Sequence, residues 1–310
     1  MKCRWVCLRL HDAFYRGHVL VVTEYADLKY LGFEKYEYFE YVLFQLNGGT
    51  AQSCNVIASN PRYCMQVFNA QDNMCEVRHC MKMVFKTNVL GHVCVLQHKP
   101  AMYACLDEWH VMFDFQIPLL QSASLVWEFP HVVVFDLDST LITEQEKVQI
   151  RDPQVYNSLE ELRALGCVLV LWSYGSKEHV AYSLRAVQLA PYFDAIISEG
   201  STAEDEPAVL VTTTDRDLKS HYVPLNFKFD MHAQTGDELP KSPKIVIKIL
   251  ADKRVNYFKS LTLVDDLPSN NFAYDYYVRV KKCPLPVRDW QRYHDEILNN
   301  IDEYDNMYNF

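Results

Sequence analysis

The second part of the chain alternates short apolar runs with amphipathic stretches. The apolar run VVVF follows His131, and a second run, CVLVLW, follows Gly166. A helix is predicted to begin between them at Asp152-Pro153, because Asp is a favourable N-cap, Pro fits the first helical position and Gly166 suits the end of a helix. Short apolar runs of this kind indicate buried strands. The pattern therefore predicts strand, helix, strand.

The same alternation continues further along the chain. A helix is predicted from Ser176 to about Gln188, the run DAIIS forms a third strand, another helix opens at Ser242-Pro243, and LTLV forms a fourth strand. Buried strands that alternate with helices predict an α/β fold with a doubly wound parallel sheet and helices on both faces.

Residues 1–125 differ from this regular part. They are dense in aromatic residues, as in FEKYEYFEYVLF, and mix alternating segments with helical ones, which predicts an N-terminal region of mixed α and β structure. A boundary near residues 118–130 gives two predicted domains, 1–125 and 126–310. The second domain carries an irregular insertion at about 199–241, which includes the acidic run EDE.

The formal net charge of −10 is concentrated in the second part of the chain. Residues 1–130 hold 11 Lys and Arg against 12 Asp and Glu, whereas residues 131–310 hold 19 against 28. The negative electrostatic potential that this excess of carboxylates creates disfavours direct nucleic-acid binding and attracts basic partners. An acidic surface that serves only solubility would leave the same pattern, so both interpretations stay open.

Other composition features exclude several classes of protein. Ten irregularly spaced cysteines without a CxxC pair favour buried free thiols, and Cys75, His79 and Cys80 favour ordinary packing over a zinc site. The nine glycines form neither GxGxxG nor GxxxxGK[ST], which removes support for dinucleotide-binding enzymes and nucleotide motors. No apolar run has the roughly 18 residues of a membrane helix, and the opening MKCRWVCLRLHDAFYRG lacks a signal core, so we expect a soluble, unexported protein.

Two carboxylates follow the first predicted strand, as Asp136 and Asp138 in FDLDST. Carboxylates so close together favour a cation between them. One can attack phosphorus and form an aspartyl-phosphate, while the other can donate and later accept a proton. Alone, such a pair is more typical of a solvated loop or a helix cap.

Further polar residues hold matching positions. Ser173 ends the second strand, Lys244 opens a helix in SPKIVIKIL, and Asp265 and Asp266 end the fourth strand. Because ligands bind beyond the carboxyl ends of parallel strands, we expect these residues to meet Asp136 in one crevice. A hydroxyl and an ammonium can hold phosphoryl oxygens, and the additional carboxylates complete a magnesium site.

The stretches that carry these residues, in this order and spacing, resemble the four motifs of the haloacid dehalogenase (HAD) superfamily. They are most similar to its small phosphatases, the carboxy-terminal-domain and magnesium-dependent phosphoprotein phosphatases. The resemblance covers about residues 131–283. It implies a phosphoric monoester hydrolase with Mg²⁺ as cofactor and Asp136 as nucleophile and metal ligand. Asp138 would be the general acid/base, its backbone carbonyl also contacting the metal.

The resemblance implies roles for the remaining motif residues as well. Asp266 would bind magnesium directly, with Asp265 acting through water or supporting it. Thr140, Ser173 and Lys244 would bind phosphate. Lys241 and Lys248 flank Lys244, and we prefer Lys244 because it follows Pro243 in the first helical turn.

The spacing of the motifs predicts an open site. The 37 positions from Asp136 to Ser173 are filled by a loop, a helix and a strand, so no large cap domain fits there. Open sites of the HAD superfamily admit macromolecules, whereas capped ones enclose small metabolites. The sequence therefore favours a phosphoprotein substrate.

A second resemblance spans the whole chain. The stretches FDLDSTLITEQ, LGCVLVLWSYGS and LVDDLPSN are similar to the baculovirus 38K family of nucleocapsid-assembly proteins. This resemblance implies residence in the host cell nucleus and the virion nucleocapsid, with a phosphorylated basic viral core protein and other nucleocapsid proteins as partners. Neither sequence-specific nucleic-acid binding nor membrane attachment is expected, and homo-oligomer formation stays open.

Two alternatives to a protein phosphatase stay open. A catalytically silent scaffold of the nucleocapsid could keep the fold and act by binding alone. Such proteins often lack the nucleophile or a metal carboxylate, whereas every motif residue is present here. A small-molecule phosphatase is the other alternative, which the short gaps between motifs disfavour.

Overall fold

The computed structural model describes residues 2–22, 38–46, 61–96, 110–112, 120, 128–144, 147–198, 209–213, 220–224 and 241–310. The strands in these residues are β1 (Lys2–Leu10), β2 (Tyr15–Val21), β3 (Phe39–Gln45), β4 (Tyr63–Gln71), β5 (Leu90–Gly91), β6 (Val93–Leu96), β7 (His110–Met112), β8 (Val132–Phe135), β9 (Val168–Ser173), β10 (Ala195–Ser198), β11 (Val209–Thr213), β12 (Ser220–Pro224), β13 (Tyr257–Phe258), β14 (Leu261–Asp265) and β15 (Tyr276–Arg279). The α-helices are α1 (Met74–Phe85), α2 (Gln154–Ala164), α3 (Lys177–Ala186), α4 (Pro243–Asp252) and α5 (Trp290–Met307).

The chain divides into two units. The first contains Met1–Phe129, Ser242–Lys259 and Met307–Phe310, and the second contains Pro130–Lys241 and Ser260–Asn306. This division differs from the predicted one, which assigned helix α4 to the second domain. Most of the surface of α4 is apolar and buried, so the helix needs a core around it, and within the first unit it contacts β7.

The first unit contains a six-stranded sheet with the order β4-β1-β3-β2-β6-β7. Strand β1 pairs antiparallel with β3 and β4, whereas β2 pairs parallel with β3 and β6. Helix α1 begins at Asn73, whose side chain accepts a hydrogen bond from the backbone N–H of Glu76. Its buried residues Val77, Met81 and Phe85 join one apolar cluster of the sheet. The prediction of mixed α and β structure is confirmed for the described residues of this unit.

The second unit contains a seven-stranded sheet with the order β12-β11-β10-β9-β8-β14-β15. Strands β10, β9, β8, β14 and β15 are parallel. In the register of the sheet, Phe135 at the end of β8 lies opposite Leu171 of β9 and Val264 of β14. The residues that follow these three positions therefore meet at the carboxyl edge of the sheet, as predicted.

Helices α2, α3 and α5 cover one face of this sheet. Alternate strand residues such as Val133 and Phe135 point to that face and share a buried cluster with Leu159 of α2, Val180 of α3 and Trp290 of α5. Gly166, with a φ of 77°, follows α2 as the sequence predicted, and Ser176 caps α3 by accepting from the N–H of His179. Helices on both faces, the doubly wound arrangement, stay a prediction.

The irregular insertion predicted at 199–241 contains regular structure. Strands β11 and β12 form an antiparallel pair that extends the sheet beside β10. The acidic run at 204–206 lies outside the described residues. Lys241, the last residue of the insertion, lies within the described residues and is fully buried.

No helix within the described residues has both the length and the apolar character that are needed to cross a membrane.

Candidate metal and phosphoryl-transfer site

Three carboxylates meet at the carboxyl edge of the second sheet. Asp136 directly follows β8, Asp265 is the last residue of β14, and Asp266 comes next. Because β8 and β14 are neighbouring parallel strands, their ends bring these side chains together. One oxygen from each carboxylate lies within 4.8 Å of the others, and all three residues are buried. The predicted group of Asp136, Asp265 and Asp266 is thus assembled in the structure.

A buried lysine lies against this carboxylate cluster, and it is Lys241. Its Nζ donates to Oδ1 of Asp136 at 2.5 Å and to Oδ2 of Asp265 at 2.6 Å. The predicted residue, Lys244, is part-buried on helix α4 and belongs to the other unit. Lys241 is therefore the lysine that the structure brings to these carboxylates, and it comes before the Ser242 N-cap, outside the helix. The predicted phosphate contact of Lys244 stays a prediction.

Charge in the cluster is unbalanced. Burial raises the pKa of Asp136 to about 7, with Lys241 acting to lower it and Asp265 acting to raise it further. Burial also raises the pKa of Asp266, and Asp265 adds to this rise. Burial alone would lower the pKa of Lys241, but Asp136 and Asp265 raise it above its usual value. One ammonium thus stands against three carboxylates, which favours an additional cation.

The three carboxylates suit a hard divalent cation. Their donor atoms are all oxygens, the ligands that Mg²⁺ and Ca²⁺ prefer. Asp265 is already held by protein donors: its Oδ1 accepts from the N–H of Leu267 at 2.8 Å and its Oδ2 from Asn270 at 2.9 Å. Asp266 Oδ2 lies 3.9 Å from Lys282 Nζ, farther than a hydrogen bond. Asp136 and Asp266 are therefore the better direct ligands, with Asp265 in a supporting position.

Asp138 is held from two sides. Ser173, which is buried at the end of β9, donates to Oδ2 of Asp138 at 3.1 Å. His179 places its Nε2 2.7 Å from Oδ1 of the same carboxylate. Gly175 permits this close packing, because a Cβ there would lie 2.8 Å from the His179 ring and 3.2 Å from the Ser173 hydroxyl. Asp138 and Ser173 thus meet as the sequence predicted.

His179 is a residue that the sequence reasoning missed. It lies in the first turn of α3, three positions after the Ser176 N-cap. The predicted start of α3 at Ser176 was the available signal, because the N-terminal end of a helix that follows a parallel strand lies at the binding edge of the sheet.

The loop after β8 is fixed by a buried arginine. Arg151 Nη1 donates to the carbonyl oxygens of Ser139 at 3.1 Å and of Lys281 at 2.7 Å. Its Nε and Nη2 each donate to Asp289 at 2.8 Å, a bidentate pair. Thr140 in this loop is fully buried, and its hydroxyl has no hydrogen-bond partner within the described part of the chain. Its predicted phosphate contact stays a prediction.

The cysteine group does not form a comparable cluster. Among the described residues, the carboxylates of Asp136, Asp265 and Asp266 are the group with metal-ligand spacing, and Cys75, His79 and Cys80 do not belong to it. His79 Nδ1 instead contacts the hydroxyl of Tyr308.

Comparisons with known proteins identify a viral family. The family model described as "Protein of unknown function (DUF705)" matches residues 3–309. A 36.0 kDa protein of Orgyia pseudotsugata multicapsid polyhedrosis virus is 76% identical over 99% of this chain and 98% of its own length. A 38.0 kDa protein of Autographa californica nuclear polyhedrosis virus is 57% identical over the same shares, and a 41.0 kDa protein of Cryptophlebia leucotreta granulosis virus is 38% identical over 99% of this chain and 87% of its own length.

One solved structure, a HAD-superfamily hydrolase from Ehrlichia chaffeensis, is 12% identical with a TM-score of 0.35, over 57% of this chain and 100% of its own. That score is too low to support an argument about fold or activity.

The family of the chain is shown by the match over residues 3–309 and by the identity with the viral relatives. The chain belongs to the DUF705 family of baculovirus proteins.

Proposed function

We propose that this protein is a magnesium-dependent phosphatase of HAD type that works through an aspartyl-phosphate. One observation carries the proposal. Asp136 lies at the end of a buried parallel strand with two further carboxylates and the Lys241 ammonium around it, while Asp138, two residues on, is oriented separately by Ser173 and His179. Two carboxylates with different surroundings can serve as nucleophile and as acid/base.

In the first half-reaction, a carboxylate oxygen of Asp136 attacks phosphorus. The bond from phosphorus to the ester oxygen of the substrate breaks, and Asp138 donates its proton to that leaving oxygen. Lys241 offsets the negative charge beside Asp136, from which its Nζ is 2.5 Å away. The product of this step is a phosphoryl group on Asp136.

In the second half-reaction, Asp138 accepts a proton from a water molecule that attacks phosphorus. The bond to Asp136 breaks, which releases inorganic phosphate and restores the carboxylate. Ser173 can change partner during this cycle. Its hydroxyl donates to the ionised Asp138, and when Asp138 carries the proton the same hydroxyl can donate to a phosphoryl oxygen.

Asp136 and Asp266, with the backbone carbonyl of Asp138, would hold magnesium, and Asp265 would support them. A bound Mg²⁺ supplies charge stabilisation for the transferring phosphoryl group. The three buried carboxylate oxygens within 4.8 Å of one another fit this ion. The three carboxylates outnumber the one ammonium, and the resulting negative charge favours its binding.

We further propose that the substrate is a phosphoprotein, the phosphorylated basic core protein of the virus, and that its dephosphorylation serves nucleocapsid assembly. Partners would then include other nucleocapsid proteins, in the host cell nucleus and the virion. The acidic second part of the chain, with 19 Lys and Arg against 28 Asp and Glu, supports attraction of a basic polypeptide.

The decisive experiment measures phosphate release from an aryl phosphate by the full chain, with Mg²⁺ and with EDTA. Wild-type protein is compared with Asp136→Asn and with Asp302→Asn, which changes an exposed carboxylate on α5. We expect turnover only with Mg²⁺, its loss in Asp136→Asn and its retention in Asp302→Asn. If Asp136→Asn equals wild type, or wild type shows no turnover with Mg²⁺, the scaffold alternative replaces the phosphatase.

A further inference from the structure

A basic groove adjoins the carboxylate cluster. It has a volume of about 680 Å³ and is lined by Arg279, Lys281, Lys282 and Arg292 together with the carboxylates of Asp266 and Glu296. Four cations against two carboxylates give the groove a positive formal charge, in a chain whose net charge is −10. A concave positive surface on an acidic protein selects anionic ligands.

The backbone at Lys281 and the side chain of Arg292 are held in place before any ligand binds. The carbonyl of Lys281 accepts from Arg151 at 2.7 Å, and its N–H donates to the hydroxyl of Tyr293 at 3.0 Å. The guanidinium of Arg292 lies over the Tyr293 ring, 4.5 Å from its centroid, and donates to the Tyr293 hydroxyl. Stacking of this kind orients the planar donors of an arginine, which match the oxygens of a phosphate.

The groove is continuous with the proposed reaction centre. Asp266 belongs to both the groove and the carboxylate cluster, and Lys282 lies 3.9 Å from it. Arg279 is the register partner of Asp265 on the neighbouring strand, and the N–H of Val280 donates to the Asp265 carbonyl at 3.0 Å. A substrate whose phosphate reaches Asp136 would therefore extend its neighbouring groups toward these cations.

We propose that this groove binds a second phosphate of the substrate, so that the preferred substrate is a polypeptide segment with two phosphorylated residues close together. The inference rests on the proposed phosphatase function and narrows its substrate class. In a segment rich in Lys and Arg, a second phosphate brings the negative charge that the groove can bind close to the scissile group. A groove with four cations would repel the unmodified segment and attract one that carries a second phosphate.

Chain geometry limits the spacing between the two phosphates. An extended polypeptide advances about 3.3 Å per residue and alternate side chains point to the same face, so two phosphorylated residues two positions apart present their phosphates on one face about 7 Å apart. The groove begins at Asp266 itself, so a second phosphate at this spacing can reach its cations while the first lies at the carboxylate cluster. A second phosphate eight residues away would lie beyond the groove and bring no advantage.

Binding tests the inference without turnover. The affinity of the full-length protein for labelled peptides is measured in EDTA by fluorescence anisotropy. The first peptide carries two phosphorylated residues two positions apart. Its three comparison peptides carry one phosphorylated residue, two phosphorylated residues eight positions apart, or glutamate in place of the second phosphorylated residue. We expect about tenfold tighter binding of the closely spaced peptide, the size of one charge-assisted hydrogen bond. The double variant Arg279→Gln/Arg292→Gln should lose this preference. Arg185→Gln, an exposed arginine on α3 outside the groove, should keep it.

Equal binding of the four peptides, or a preference that survives the double variant, overturns the inference. A glutamate-substituted peptide that binds as tightly overturns the assignment to phosphate, and so does a single-stranded oligonucleotide that displaces the peptide at equal concentration. Turnover of an aryl phosphate by wild type separates the two proposals. If turnover is absent, the phosphatase proposal fails, while the anisotropy still decides whether the groove binds paired phosphates. If turnover is present without peptide preference, only the groove assignment fails.

Discussion

His179 Nε2 lies 2.7 Å from Oδ1 of Asp138, and this contact orients the carboxylate that we propose as acid and base. Ser173 holds the other oxygen, so the plane of the Asp138 carboxylate is set from both sides. Neither Ser173 nor His179 makes this contact with Asp136, whose Oδ1 instead accepts a hydrogen bond from Lys241. The two aspartates of the motif are thus oriented by separate groups, which allows them to take different roles in the proposed reaction.

Removing His179 should lower the rate more than it weakens substrate binding. His179→Ala is expected to reduce kcat about tenfold with little change in KM, a part of the roughly 10²- to 10⁴-fold that proton transfer contributes. His179→Gln should recover part of the loss, because an amide can still donate to Asp138. Aryl-phosphate kinetics check this, with the exposed neighbour Glu178→Gln as the control. A change in KM alone would show that His179 does not position Asp138.

Lys241 should matter more than Lys244, both for activity and for stability. Lys241→Ala leaves Asp136 and Asp265 buried without their counter-ion, and breaking a buried ion pair costs about 3 to 5 kcal/mol. Urea unfolding in EDTA should show this loss, and Mg²⁺ should reverse part of it by replacing the missing charge. Lys244→Ala is expected to lose less stability and to keep phosphatase activity. If Lys244→Ala instead lost more activity and stability than Lys241→Ala, the predicted phosphate-binding role of Lys244 would be supported.

The choice between these two lysines shows where sequence reasoning reached its limit. Apolar runs predicted the strands that carry Asp136, Ser173 and Asp265, because buried parallel strands have a strong pattern. Lys241 is the last residue of a long insertion and comes just before the helix, where no periodicity indicates the direction of a side chain. The preference for Lys244 rested on its place in the first helical turn after Pro243, and that place does not determine which lysine contacts the carboxylates.

Neither the contacts that orient Asp138 nor the basic groove could be predicted from the sequence. His179 is 41 positions from Asp138, and the groove combines residues that follow β14, the end of β15 with the residues after it, and residues of α5. Such groups meet only through the register of the sheet and the packing of α5 on it. The strands β11 and β12 were missed because the insertion as a whole has no regular pattern of apolar residues.

Magnesium should stabilise the folded protein. A ligand that binds only the folded state adds about 2.7 kcal/mol to the free energy of unfolding at a hundred times its Kd. Thermal unfolding should therefore shift upward with Mg²⁺ in wild type and in Asp302→Asn. The shift should disappear in Asp266→Asn, which removes a carboxylate of the cluster. An undiminished shift in Asp266→Asn would place the ion elsewhere.

The stability of the metal-free protein should depend on the charge of Asp136. Burial raises the pKa of this carboxyl to about 7, whereas its pKa in an unfolded chain is about 4. Between these values the folded state binds more protons, so the free energy of unfolding should fall as pH rises, by at most about 1.4 kcal/mol per pH unit from this group. Urea unfolding in EDTA from pH 4 to 7 should give a shallower slope for Asp136→Asn. An equal slope would show that Asp136 does not titrate in this range.

The covalent intermediate should become visible when Asp138 is replaced. Asp138→Asn keeps the backbone carbonyl that we assign to the metal and leaves Asp136 as nucleophile, but it cannot accept a proton from the attacking water. With an activated aryl phosphate, whose leaving group needs no proton, the first half-reaction should proceed while hydrolysis of the aspartyl-phosphate slows by about 10²- to 10⁴-fold. Intact-mass measurement after acid quench should then show one added phosphoryl group, and peptide mapping should place it on Asp136. The double variant Asp136→Asn/Asp138→Asn is the control and should carry none. A phosphoryl group on Ser173 or His179 instead would mean that Asp136 is not the nucleophile.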